Sequence, residues 1–339
     1  MLGFLLLLLG MAIILLGSEL FTNSIEWIGR KFGFGDGVVG SLLAAVGTAL
    51  PETVVPIVAV GLSLGDATKL HEGQEIGIGA IIGSSFMLAT LAFFVTGAAV
   101  LFFNAAHRRG RIVEADPAGM KRDLGFFLCA YLITIISTFV SWVPLKIGIA
   151  LLLIGLYFSY VRLTIQADQA SEGHLKRLTF DRKREAPRMV RVVVQLVASL
   201  TLIIGGAQFF VIQLEDVAHA LSVSPVILSL LITPFATELP EKFNSVIWVR
   251  QGKDTLALGN ITGALVFQSC ILPAVGILLT PWQLNTTALV CAGIGFASAL
   301  VIYFQLLRTG KLQYQALLLA GLFYAAFVIY AIAAETTLL

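Results

Sequence analysis

Charge is scarce in this sequence. Lys, Arg, Asp and Glu make up 12% of 339 residues, where a soluble domain carries about 25%. With 58% hydrophobic residues, the chain has too little polar surface for a water-soluble fold. Cysteine is also sparse: Cys129, Cys270 and Cys291 each fall in an apolar run, which excludes a disulfide framework and a cysteine metal cluster. The four histidines sit in loops or at span ends, and no His-Glu-x-x-His occurs, so a zinc-protease helix is absent. No Walker sequence is present, and ATP-driven transport has no support. Gly33-Phe34-Gly35-Asp36 spells the pattern of intramembrane aspartyl proteases. That chemistry needs a second intramembrane Asp to share a proton, and none is expected inside another span. The N-terminal run has no basic leader and no small-residue cleavage site, so it reads as a retained span.

What remains is long apolar runs. A spanning helix needs roughly 20 apolar residues. Ten runs qualify, at about 2–22, 37–64, 76–103, 123–142, 145–164, 190–213, 223–250, 254–281, 285–307 and 312–335. The expected fold is an all-α membrane protein. The charged stretch 165–189 is a connector between a first half, 1–164, and a second, 190–339. Arg and Lys concentrate in the odd loops, from Arg30 and Lys31 to Arg308 and Lys311, while the even loops hold only Lys69 and Lys146. Basic loops stay in the cytoplasm, so both termini are expected outside. The basic residues are scattered over five short loops, which argues against a nucleic-acid partner. The lipid bilayer and inorganic cations are the expected partners. The small size suits a prokaryotic plasma membrane.

One segment occurs twice. Gly47-Thr48-Ala49-Leu50-Pro51-Glu52 returns 189 positions later as Ala236-Thr237-Glu238-Leu239-Pro240-Glu241. The match runs without gaps from Gly17–Glu52 to Gly206–Glu241, and Gly79–Ser84 then aligns on Gly259–Ala264. Each half holds five spans. An odd number sends the second half into the membrane from the opposite side, so the expected architecture is ten transmembrane helices as two inverted five-helix repeats. Secondary transporters are built this way, with the site near the midplane at the repeat interface.

The repeated segment carries the chemistry. A carboxylate in hydrocarbon is costly and marks a functional site. Pro51 and Pro240 lack an amide hydrogen and clash with the preceding turn, so local unwinding is expected, freeing carbonyls near 46–48 and 235–237. Carbonyls and carboxylates are hard oxygen ligands suited to Ca2+, Na+ or protons. Glu52 and Glu241 facing each other supply two negative charges, which match one divalent cation. The glycines of 77–83 and 259–263 let helices approach closely. Ser84, Asn260 and Gln268 add polar oxygens nearby.

These segments resemble the alpha-repeats of the cation/Ca2+ exchanger superfamily, the sodium/calcium exchanger group, whose repeats carry a G-T-S-L-P-E core and a G-N-x-x-G-S-N helix. The resemblance covers nearly the whole chain. It implies an antiporter moving Ca2+ against Na+ by alternating access, with no cofactor. It implies Ca2+ ligands at Glu52 and Glu241, carbonyl ligands at Thr48 and Thr237, and spans 2–22 and 190–213 that slide. The motif serines, which serve sodium in the family, are here Ala49 and Glu238, and Ala80, Leu88 and Ala264 stand where polar residues are expected. Fewer sodium ions, proton coupling or another cation all fit this thinning. Glu238 is either a third carboxylate in the site, as ligand or proton carrier, or the partner of Lys242 four residues on. The leading expectation is a Ca2+/Na+ antiporter. The alternatives are a proton-coupled divalent cation exchanger and a non-transporting membrane binding or sensor protein.

Overall fold

Apolar runs punctuated by glycine, proline and short polar turns fold here as helices, because a chain in hydrocarbon must satisfy its backbone within each segment. The computed structural model describes residues 2–31, 49–63, 67–105, 112–113, 115–167, 177–221, 225–250, 252 and 254–336. In the first half these form α1 (Leu2–Lys31), α2 (Leu50–Leu62), α3 (Ala67–Met87), α4 (Phe93–Ala105), α5 (Pro117–Ile136) and α6 (Val143–Ala167). The second half forms α7 (Met189–Leu221), α8 (Pro225–Thr237), α9 (Leu239–Arg250), α10 (Asp254–Leu279), α11 (Thr286–Thr309) and α12 (Tyr314–Thr336). A π-helical turn, Leu88–Ala92, joins α3 to α4, so the pair is one continuous rod. Two helix starts follow from local chemistry. Asp116 accepts from the amides of Ala118 and Gly119 ahead of Pro117, and Asn285 accepts from Ala288 at 2.8 Å. Both satisfy amides that a helix N-terminus leaves open.

Among the described residues eight helices are long and apolar enough to cross a membrane. The two expected spans that fall short are those carrying the repeated motif. Span 37–64 is described only from Ala49, as α2, and span 223–250 is divided into α8 and α9. The Gly33–Asp36 pattern lies outside the described residues. The outer surface is apolar, with Phe102, Phe139, Val190 and Ile329 among its exposed side chains, as a lipid-facing surface requires. Of these eight helices α10 is the most enclosed: 83% of its apolar window is buried, against 22% for α12. It is the central post of the bundle.

The core divides in two. The larger cluster joins α3 and α4 to α5, α6, α10, α11 and α12 through Phe86, Phe93, Phe127, Tyr131 and Trp282. The smaller links α1 and α7 to α2 and α3 through Leu7, Ile14, Val55, Ile76 and Phe210. Helices α1 and α7 pack along each other, and glycine brings them close. A Cβ on Gly17 would lie 3.0 Å from the Ile203 amide nitrogen, and one on Gly206 would lie 3.2 Å from that of Ile14. The contact is reciprocal: Gly206 and Ile203 are the residues 189 positions after Gly17 and Ile14.

Contacts at the helix ends sort the connections into two groups. Asn23, in the C-terminal third of α1, accepts from the Thr179 amide and from Gln195, while Ile112–Val113 pairs antiparallel with Leu312–Gln313. At other helix ends, Lys146 donates to the Pro281 carbonyl. Thr138 Oγ1 donates to the Trp282 carbonyl at 3.4 Å and accepts from the Leu284 amide at 2.7 Å.

Candidate functional site

Helix α3 lies between the two motif segments. On one side it packs on α2, where a Cβ on Gly77 would meet the Pro56 carbonyl oxygen at 3.5 Å. On the other it packs on α8, where Ser229 Oγ donates to the Ile76 carbonyl at 2.7 Å. The closest approach to α8 is at Gly83. A Cβ there would fall on the Leu230 carbonyl oxygen, 2.9 Å from Leu230 Cα and 2.8 Å from Pro234 Cγ. Pro234 has no amide hydrogen, so it cannot bond the Leu230 carbonyl four residues back. A gap in the hydrogen bonding of α8 therefore meets a side-chain-free surface of α3.

Both motif prolines stand in the first turn of a helix. Pro51 is the second residue of α2 and Pro240 the second of α9. In a first turn the missing amide costs nothing. The expected unwinding over 235–237 is accordingly not found: α8 runs through Thr237, and Glu238 alone interrupts the helix. Backbone bonds even bridge it, from the Glu238 amide to Pro234 at 3.1 Å and from the Lys242 amide to Glu238 at 3.3 Å. Within 235–237, the Ala236 carbonyl loses its helical donor, since that donor would be Pro240.

Glu52 is 2% exposed, in the first turn of α2. A helix N-terminus is a favourable place for a negative charge, and burial keeps that charge out of water. Glu241 is the third residue of α9; its side chain and the whole of Thr48 lie outside the described residues. Thr237 is buried and donates to the Thr233 carbonyl at 3.1 Å. Ser84 is buried and donates to the carbonyls of Ala80 and Ile81. Asn260 has an amide nitrogen with no partner among the described residues, as has the hydroxyl of Thr233. Among the described residues no three His, Cys, Asp or Glu side chains converge as a metal cluster.

The structure brings two of the expected site residues, Glu238 and Gln268, into contact, with Lys242 on the same carboxylate. Glu238 is fully buried and its Oε2 lies 3.2 Å from Lys242 Nζ. Gln268 Nε2 on α10 donates to Glu238 Oε1 at 3.4 Å. The ion pair that the four-residue spacing allows between Glu238 and Lys242 is present.

Sequence reading missed a further buried carboxylate. Asp123 stands at the first position of an expected span, behind Lys121 and Arg122, and looks like a loop charge. It is 5% exposed. Arg122 donates to its Oδ1 through Nε at 3.1 Å and Nη2 at 3.0 Å, and Thr262 donates to Oδ2 at 2.8 Å. The guanidinium stacks over Tyr160. Asp254, also at the first position of a span, is buried too. The only sequence signal is a charge flush against an apolar run. Asp123 ties α5 to α10 two residues from Asn260. Asp123→Ala removes acceptors from Arg122 and Thr262 and is expected to cost about 1–3 kcal/mol, read as a lower unfolding midpoint; an unchanged midpoint would show the cluster to be idle. A cavity of about 410 Å³ opens where α3 begins, beside the α10–α11 connection, lined by His71, Gln74, Glu75, Gln283 and Asn285.

The family model described as sodium/calcium exchanger protein matches residues 2–166 and 191–333. The inner membrane protein YrbG of Escherichia coli (strain K12) is 24% identical over 288 residues, covering 84% of this chain and 82% of that protein. A crystal structure of the H+/Ca2+ exchanger CAX superposes with a TM-score of 0.76 at 18% identity, covering 98% of this chain and 87% of that one. The sodium-calcium exchanger NCX_Mj superposes with a TM-score of 0.59 at 22% identity, covering 98% of each chain.

Proposed function

The chain belongs to the sodium/calcium exchanger protein family, and we propose that it is a secondary active antiporter that exchanges Ca2+ for Na+ by alternating access. The observation that carries this reading is Glu52, a carboxylate buried to 2% exposure at the start of a proline-led helix, in a motif that the chain repeats at Glu241. Two such charges match one divalent ion, which would sit between Glu52 and Glu241. Carbonyls around Thr48 and Thr237 and the side chains of Ser84 and Asn260 complete the proposed set. Glu238 and Gln268 stand outside it, engaged with Lys242 and with each other.

The layout proposed is ten transmembrane helices in two inverted five-helix repeats. The reciprocal packing of Gly17 on Ile203 and Gly206 on Ile14 supports it, because a two-fold relation exchanges equivalent partners. The α1–α7 pair supports a moving element, since its apolar cluster is separate from that of the main bundle. Both groups of end contacts fit odd loops on one side and even loops on the other, and the basic odd loops favour termini outside a prokaryotic plasma membrane.

A second reading, proton coupling, is favoured by apolar residues at Ala49, Ala80, Leu88 and Ala264. Vesicles containing the purified protein separate the two. Radioactive Ca2+ uptake is expected when Na+ is loaded inside and diluted outside. Uptake driven by a pH gradient alone would replace sodium by protons as the coupling ion. Silence under both gradients would remove antiport and leave a binding or sensor protein.

A further inference from the structure

Three polar residues of the second half have apolar or uncharged counterparts in the first, and they meet in space. Glu238, Lys242 and Gln268 correspond to Ala49, Thr53 and Leu88. The first-half trio has no charge, and Thr53 only bonds back to the Ala49 carbonyl at 3.0 Å. In the second half the trio is one cluster. Lys242 Nζ lies 3.2 Å from Glu238 Oε2, with side-chain exposures of 6% and 0%. Gln268 Nε2 reaches the other carboxylate oxygen, and Gln268 Oε1 has no partner among the described residues. The three come from two helices and from the break between α8 and α9, so no local sequence rule brings them together.

A carboxylate and an amide oxygen in a buried site are hard ligands of the kind that hold a small cation. The Lys ammonium is itself a compact point charge on a flexible stem. We propose that Lys242 is a tethered cation, which permanently holds the place beside Glu238 and Gln268 that a mobile monovalent cation would otherwise take. This rests on the antiporter reading for its meaning. A tethered charge neither loads nor leaves, so Glu241 is the one net charge that the second half brings to the cargo, and Glu52 with Glu241 remains matched to one divalent ion. The cluster also explains why a third carboxylate is tolerated so close to the motif: an unpaired buried charge is costly, and a paired one much less so.

The test is thermal unfolding of the full purified chain in detergent, in sodium, potassium or choline chloride at equal ionic strength. Lys242→Thr leaves Glu238 and Gln268 without the ammonium. Its midpoint is expected to drop in choline and to rise in sodium or potassium, with a larger upward shift than wild type shows. The double variant Glu238→Ala/Lys242→Thr recreates the first-half pair and is expected to lose that extra response. A Lys242→Thr midpoint that responds to the salts no more than wild type would make the pair a structural staple and overturn the proposal. If Lys242→Thr does not fold, the double variant still decides. Retention of the wild-type Ca2+-induced midpoint shift supports the tether, and its loss would make Glu238 a cargo ligand. Failure of Ca2+ uptake in vesicles would overturn the antiporter reading while the salt response of Lys242→Thr stood.

Discussion

Glu52→Gln is expected to abolish Ca2+ uptake. The substitution keeps the shape of the side chain and one acceptor oxygen, and removes one charge from a buried position. Truncating one partner of a buried charge pair costs about 2–5 kcal/mol, and each 1.4 kcal/mol is about tenfold in affinity. Binding should therefore weaken by a factor of roughly 30 to several thousand, enough to silence transport at ordinary Ca2+ concentrations. Glu241→Gln is expected to act alike. The measurement is radioactive Ca2+ uptake at rising Ca2+, with the amount of folded protein as control. A Glu52→Gln protein that transports as wild type would exclude this carboxylate from the site. A variant that recovers at very high Ca2+ would place the loss in affinity rather than in the moving parts.

Much of this was legible in the sequence, for physical reasons. Spanning segments are fixed by the thickness of the bilayer, so eight of the apolar runs emerge as long helices in the expected order. Glu52 could be found because a carboxylate in an apolar run has few innocent explanations. The site's finer form was harder to read. Proline was expected to free carbonyls over 46–48, which lie outside the described residues, and over 235–237, yet α8 runs through Thr237 and Pro240 falls in a first turn, where proline is at home. Periodicity does not say where a helix starts. The Glu238–Lys242 pair was one of two readings, because spacing of four permits the bond without requiring it. Gln268, thirty positions away on α10, joins that pair, and no local pattern reports it. Asp123 was missed because burial at a helix end depends on neighbours: here Arg122, Thr262 and Tyr160 from three helices.

Gly83→Ala is expected to cause a large loss for so small a substitution. Elsewhere in a helix this change is mildly favourable, since Ala has the higher helix propensity. At Gly83 the added methyl falls on the backbone of α8, at Leu230, with Pro234 closing the other side. A flexible side chain could move away; a carbonyl in a helix cannot. Overpacking of this kind costs typically about 1–3 kcal/mol, and it acts on the contact that sets α8 and its following motif against α3. Transport should fall about tenfold or more, since 1.4 kcal/mol at the site suffices for that factor. Gly259→Ala is the matched control. It lies on the equivalent glycine-rich helix, α10, and a Cβ there meets nothing within 4 Å. Its uptake should stay near wild type. The pair separates two explanations of these glycines. If both variants transport normally, α3 and α8 move apart at no cost and close packing is not what positions the motif. If both fail, the glycines are needed for backbone freedom rather than for space. Loss at Gly83 alone is the result that the 2.9 Å approach to Leu230 Cα demands.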